Sequence, residues 1–98
     1  MKLTGVGGVF SAAHLPPEGG DVHGHSYEVV AWFEAGEDAR VLQARLGKIL
    51  EPLDHIILPL DMASGEAIAE HVGSGLAGCM EVEVRRPLER IYARWIAG

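Results

Sequence analysis

Residues His23 to Glu34 alternate strictly, and that alternation constrains the fold more than any other stretch of the chain. His25, Tyr27, Val29, Ala31 and Phe33 fall on one face; Ser26, Glu28, Val30, Trp32 and Glu34 fall on the other. A period of two predicts a strand with one buried face. The period then changes. Val41, Leu42, Leu46, Ile49 and Leu50 recur at spacings of about three and four, which predicts an amphipathic helix over Gly36 to Glu51, stopped by Pro52. Glu37 and Asp38 at its start suit the positive end of the helix dipole.

The other segments follow the same logic. Met1 to Ala13 reads as a strand weakened by Gly5, Gly7 and Gly8, which predict a bulge or twist. Leu15 to Asp21 is a loop by composition. Leu53 to Ala63 is an apolar connection holding Asp54 and His55. Ser64 is a good N-cap for a second helix through Ile68, Ala69 and Val72, which Gly73, Gly75 and Gly78 should break. Met80, Val82 and Val84 alternate with Glu81, Glu83 and Arg85 in a third strand. A turn at Arg86-Pro87 leads to a last strand over Glu89 to Ile96.

The order β-β-α-α-β-β predicts an α+β fold: a four-stranded antiparallel sheet with two helices on one face, in one domain spanning residues 1–98. The second face carries Val30 and Trp32 and needs covering. Trp32 and Trp95 are expected to be buried by a partner subunit, so a homo-oligomer is expected.

Composition narrows the partners. The net charge is −6 with eight Lys and Arg, and no basic stripe runs outside Arg85 to Arg94, which argues against nucleic acid. No apolar run approaches the roughly 20 residues of a membrane helix. No basic stretch followed by an apolar segment opens the chain, so the cytoplasm is the expected location. The single cysteine, Cys79, reads as a small buried residue at a strand start rather than a nucleophile.

His23 and His25, two apart on a strand, share a face, and His14 upstream can complete three imidazole ligands around one divalent metal. Zinc with three protein nitrogens and an open position is a catalytic arrangement.

Five motifs in order resemble the 6-pyruvoyltetrahydropterin synthase and 6-carboxytetrahydropterin synthase family: Phe10-Ser11-Ala12-Ala13-His14, His23-Gly24-His25-Ser26-Tyr27, Leu53-Asp54-His55, Ser64-Gly65-Glu66, and the final hairpin from Val82 to Trp95. They span nearly the whole chain. The resemblance implies the tunnelling fold, in which sheets join into a barrel within a trimer or hexamer and active sites lie between subunits. It implies Zn2+ on His14, His23 and His25, an acid–base pair in Asp54 and His55, and pterin contacts from Ser64 and Glu66. On its own, Glu66 reads equally well as a first-turn glutamate favoured by the helix dipole. The implied activity is that of a carbon–oxygen lyase on 7,8-dihydroneopterin triphosphate or a related pterin, as in queuosine biosynthesis.

Three departures bear on that expectation. The family's proton-abstracting cysteine falls at Gly19, so Glu18 or Asp21 is the candidate base, and Glu18 is expected to take the role. The family's pterin-anchoring glutamate on the third strand falls at Arg86, which has donors only. Glu89 is a possible replacement anchor. Without one, Arg86 predicts a pocket for an acidic or phosphorylated ligand. The hairpin extending the second strand is trimmed to about Ala35-Gly36. A second reading is therefore a diverged homologue that keeps zinc and fold but binds another small anionic ligand, or is non-catalytic.

Overall fold

A computed structural model describes residues 1–16 and 18–98. Four strands, β1 (Leu3–His14), β2 (His23–Glu34), β3 (Cys79–Arg86) and β4 (Ile91–Ile96), form one antiparallel sheet in the order β1-β2-β3-β4. Two helices, α1 (Ala39–Leu50) and α2 (Gly65–Gly75), cover one face, α1 against β1 and α2 against β3 and β4. Short 3₁₀ turns at Glu51–Leu53 and Leu60–Met62 punctuate the connection between the helices. The loop expected over Leu15 to Asp21 joins β1 to β2; Pro17 within it lies outside the described residues. No helix among the described residues is long and apolar enough to cross a membrane.

The buried face is the one the alternation predicts. Tyr27, Val29, Ala31 and Phe33 of β2 meet Leu42, Leu46 and Leu50 of α1 and Ile68, Ala69 and Val72 of α2 in one apolar cluster. Each helix has a side-chain cap. Asp38 accepts from the Arg40 N–H at 2.8 Å, so α1 starts at Ala39 rather than Gly36. Ser64 accepts from the Ala67 N–H at 3.1 Å and opens α2.

Several expectations about glycine need correction. Gly5, Gly7 and Gly8 cause no register shift: β1 pairs with β2 without interruption from Leu3↔Glu34 to His14↔His23. Gly5 instead lies against the Trp32 ring, where a Cβ would come within 2.6 Å, and Gly8 lies against Leu50, at 2.7 Å. Among the described residues, the one irregularity in strand pairing is between β2 and β3. There Trp32 pairs with Glu81 but Phe33 with Cys79, so Met80 is the extra residue and Cys79 turns into the core. Burial pushes the Cys79 thiol pKa up, which suits an inert core residue.

Gly73 does not break α2 but lies within it; the helix ends at Gly75, in the glycine-rich stretch where the sequence predicts its end. Gly73 is where the Trp95 ring lies against the helix, and a Cβ there would stand 2.2 Å from Trp95 Cε3. Trp95 thus faces the helices and packs on the core, not on the sheet's outer side where a partner could cover it. Replacing Gly73 with Ala is expected to destabilise the chain by about 1–3 kcal/mol through overpacking. Thermal unfolding followed by circular dichroism would show the drop, and an unchanged midpoint would mean that Trp95 is free to move away.

The final hairpin is shorter than expected. Glu89 N–H donates to the Arg86 carbonyl (3.2 Å) and Arg90 N–H to the Pro87 carbonyl (3.3 Å), so β4 begins at Ile91 rather than Glu89. Arg90 sits at φ 58°, in the left-handed region.

Candidate metal centre and its surroundings

Antiparallel pairing of β1 with β2 sets His14 opposite His23 and Ala12 opposite His25. All three imidazoles therefore meet at the end of the sheet where the two strands part. His14 Nε2 lies 3.2 Å from His23 Nε2 and 3.0 Å from His25 Nε2, and the three ligand atoms fall within 4.8 Å of one another.

The opposite ring nitrogens are each held by an acceptor. His14 Nδ1 donates to the Ala63 carbonyl at 2.6 Å, His23 Nδ1 to the Asp21 carbonyl at 3.0 Å, and His25 Nδ1 to Glu89 Oε1 at 2.6 Å. A neutral imidazole carries one N–H, so these bonds place the proton on Nδ1 and leave the lone pair on Nε2 in all three rings. Lone pairs converging at about 3 Å repel unless a cation lies between them. Zinc–nitrogen bonds of about 2.0–2.1 Å in tetrahedral geometry put neighbouring nitrogens about 3.3 Å apart. The donor set fits a divalent metal with an open position, and the acceptors behind it are the groups that orient metal-ligating histidines. Burial lowers the His25 pKa, and the nearby Arg86 charge acts the same way against the raising effect of the Glu89 hydrogen bond. A neutral ring is the form that ligates.

Two cavities flank this centre. The smaller, about 290 Å³, lies on the helix side and brings His14 together with Glu18, Ser64, Glu66 and Arg86, beside Tyr27. Five residues singled out in sequence thus share one hollow. The Ser64 oxygen there also serves as the α2 cap. Arg86 reaches further in: its Nη1 donates to His25 Nε2 at 3.1 Å. Glu89 is not an anchor in this hollow, because its carboxylate is taken by His25 Nδ1. No sequence pattern signals that bond, which depends on the turn at Pro87 to Arg90.

Asp54 and His55 lie elsewhere, along the free edge of β1. The Asp54 carboxylate accepts from the Ser11 N–H at 2.9 Å, and His55 Nδ1 donates to its other oxygen at 2.8 Å. The Ser11 hydrogen bond, then that from His55, holds the Asp54 carboxyl below the usual carboxylate range. His55 N–H donates to the Ser11 carbonyl at 2.6 Å, and Ile56 and Leu58 continue the pairing with Ala13. His55 has φ 58° and its side chain is 82% exposed. It lines the larger cavity, about 570 Å³, with His25 and Glu89, and no residue of the smaller cavity shares that lining.

The position where the family resemblance places a cysteine is also explained. Gly19 has φ 93° and Gly20 φ 115°, conformations that side chains with a Cβ rarely adopt. A thiol at position 19 does not suit this loop path. Glu18, next to it, is exposed and faces the smaller cavity.

The architecture and site define an antiparallel sheet backed by two helices, with a histidine triad at one end that could hold a metal ion. Solved 6-pyruvoyl tetrahydropterin synthases share the fold. The Caenorhabditis elegans enzyme superposes with a TM-score of 0.69 at 18% sequence identity, covering 100% of this chain and 98% of that one. The Plasmodium falciparum enzyme gives a TM-score of 0.69 at 14% identity, covering 98% of each chain. No family model and no curated protein matches the sequence. The chain therefore has the 6-pyruvoyl tetrahydropterin synthase fold, at low sequence identity to those two enzymes.

Proposed function

We propose that this chain is a zinc-dependent lyase acting on 7,8-dihydroneopterin triphosphate or a related pterin, with a 6-carboxy or 6-pyruvoyl pterin as product. The observation that carries this reading is the convergence of three Nε2 lone pairs, each ring fixed by an acceptor at Nδ1. The shared fold with solved 6-pyruvoyl tetrahydropterin synthases supports it.

When bound, zinc would supply Lewis-acid polarisation of a substrate oxygen. The remaining work falls to the chain. His55, oriented by Asp54, would move a proton at its Nε2. Its exposure suits a site completed between copies of the chain. Glu18 would act as the base in place of the thiolate, and Ser64 and Glu66 would bind the pterin from the rim of the smaller cavity. A cytoplasmic trimer or hexamer is part of this proposal. Its support is the sheet's outer face, where Val9, Tyr92 and Ile96 are exposed beside Val30 and Trp32.

A second reading rests on Arg86. A donor-only side chain stands in the cavity where a carboxylate would be needed to pair with a pterin's amino and ring N–H groups. That favours a homologue that keeps the metal and takes a different small anion. Incubating the zinc-loaded protein with 7,8-dihydroneopterin triphosphate, with mass spectrometry of the products, separates the two. A new pterin is the expected result. Unchanged substrate with zinc bound would overturn the pterin assignment and leave the second reading.

A further inference from the structure

The Arg86 guanidinium is a cation that reaches the histidine triad. Among the described residues it makes no ion pair; Arg85, its neighbour, pairs with Glu28 and Glu83, and Glu89 is engaged with His25. Its hydrogen bond goes to His25 Nε2, the same lone pair a metal would use. A metal ion must displace that bond, and two positive groups then stand side by side at the mouth of the smaller cavity. Such a pair is costly at low dielectric unless an anion lies between them.

We propose that the metal and Arg86 together form a binding site for a small carboxylate, one oxygen taking the metal's open position and the other accepting from the guanidinium. This deepens the proposed function and rests on its metal reading. Arg86 is then a specificity-determining residue. Its guanidinium offers several planar donors to the carboxylate oxygen that the metal leaves free. Glu18 and Glu66 line the same hollow, and their charge favours a monoanion over a more highly charged phosphate. The cavity volume of about 290 Å³ admits a small acid or the carboxyl-bearing end of a larger molecule.

The two ligands must then strengthen each other, because coupling between binding sites is reciprocal. Acetate is the probe and Co(II), read by its visible spectrum, is the metal. In the unmodified protein, saturating acetate is expected to tighten Co(II) binding by about tenfold, within the usual span of such coupling. Arg86→Gln should still bind Co(II), tighter in the absence of acetate because the competing cation is gone, and should lose the acetate effect. Arg86→Lys, a point charge without the fork, should recover part of it. Equal acetate effects in the unmodified protein and Arg86→Gln, or none in either, would overturn the carboxylate site while leaving the metal reading intact. Failure of the unmodified protein to bind Co(II) or zinc at all would overturn the metal reading and this site with it.

Discussion

A His14→Ala protein is expected to lose divalent-metal affinity by on the order of a hundredfold or more. Zinc sites with four ligands supply roughly 10–16 kcal/mol, so one ligand accounts for about 3 kcal/mol. His14 is the most damaging of the three to remove. It is 6% exposed, its Nε2 lies within 3.2 Å of the Nε2 of both other rings, and its Nδ1 bonds the Ala63 carbonyl just before α2. Deleting the ring also leaves that carbonyl without its donor. Thermal unfolding with and without zinc separates the two effects, since a metal that binds only the folded state raises the midpoint by mass action. The midpoint of the unmodified protein should rise with zinc, and that of the variant should not. An equal rise in both would place the metal somewhere other than the triad.

The triad was readable in the sequence because its logic is local. A period of two puts His23 and His25 on one face, and an antiparallel hairpin across the Leu15 to Asp21 loop brings His14 opposite. The same alternation fixed the buried face of β2, whose bounds match the expectation from His23 to Glu34. What could not be read depends on groups with no side-chain signature, or on contacts between distant elements. Two of the three acceptors behind the histidines are backbone carbonyls, of Ala63 and Asp21. The third, Glu89, arrives through a turn in which Arg90 is left-handed.

Glycine misled for a related reason. In sequence, Gly73 looks like a helix breaker, because glycine's intrinsic preference is against the helix interior. In the fold it is where Trp95 lies against the helix backbone, and packing outweighs propensity; Gly75, against Ile49, is where the helix ends. Arg86 shows the limit of motif matching. Its position was identifiable, but that its guanidinium reaches His25 rather than solvent follows only from the register of β3 beside β2.

The largest loss of stability is expected from Leu46→Ala. Leu46 has no exposed surface; it sits in the middle of α1, within van der Waals reach of Gly8 on β1, and belongs to the apolar cluster beneath β2. Truncating such a leucine costs about 2–5 kcal/mol, part lost transfer energy and part residual cavity. A domain of this length holds only about 5–15 kcal/mol in total, and a loss of about 3 kcal/mol should lower the unfolding midpoint by about 15 °C. Val41→Ala on the same helix is the control. Val41 is 47% exposed, and its truncation should change stability by less than about 1 kcal/mol. Equal losses in the two variants would mean that α1 does not pack on β1 through this face. Well below its lowered midpoint, Leu46→Ala should still bind zinc with the affinity of the unmodified protein. The triad is set by the β1–β2 register and three hydrogen bonds, none of which Leu46 makes. Loss of metal binding in the folded variant would instead show that α1 holds the end of β1 in place, and that the centre depends on the core as a whole.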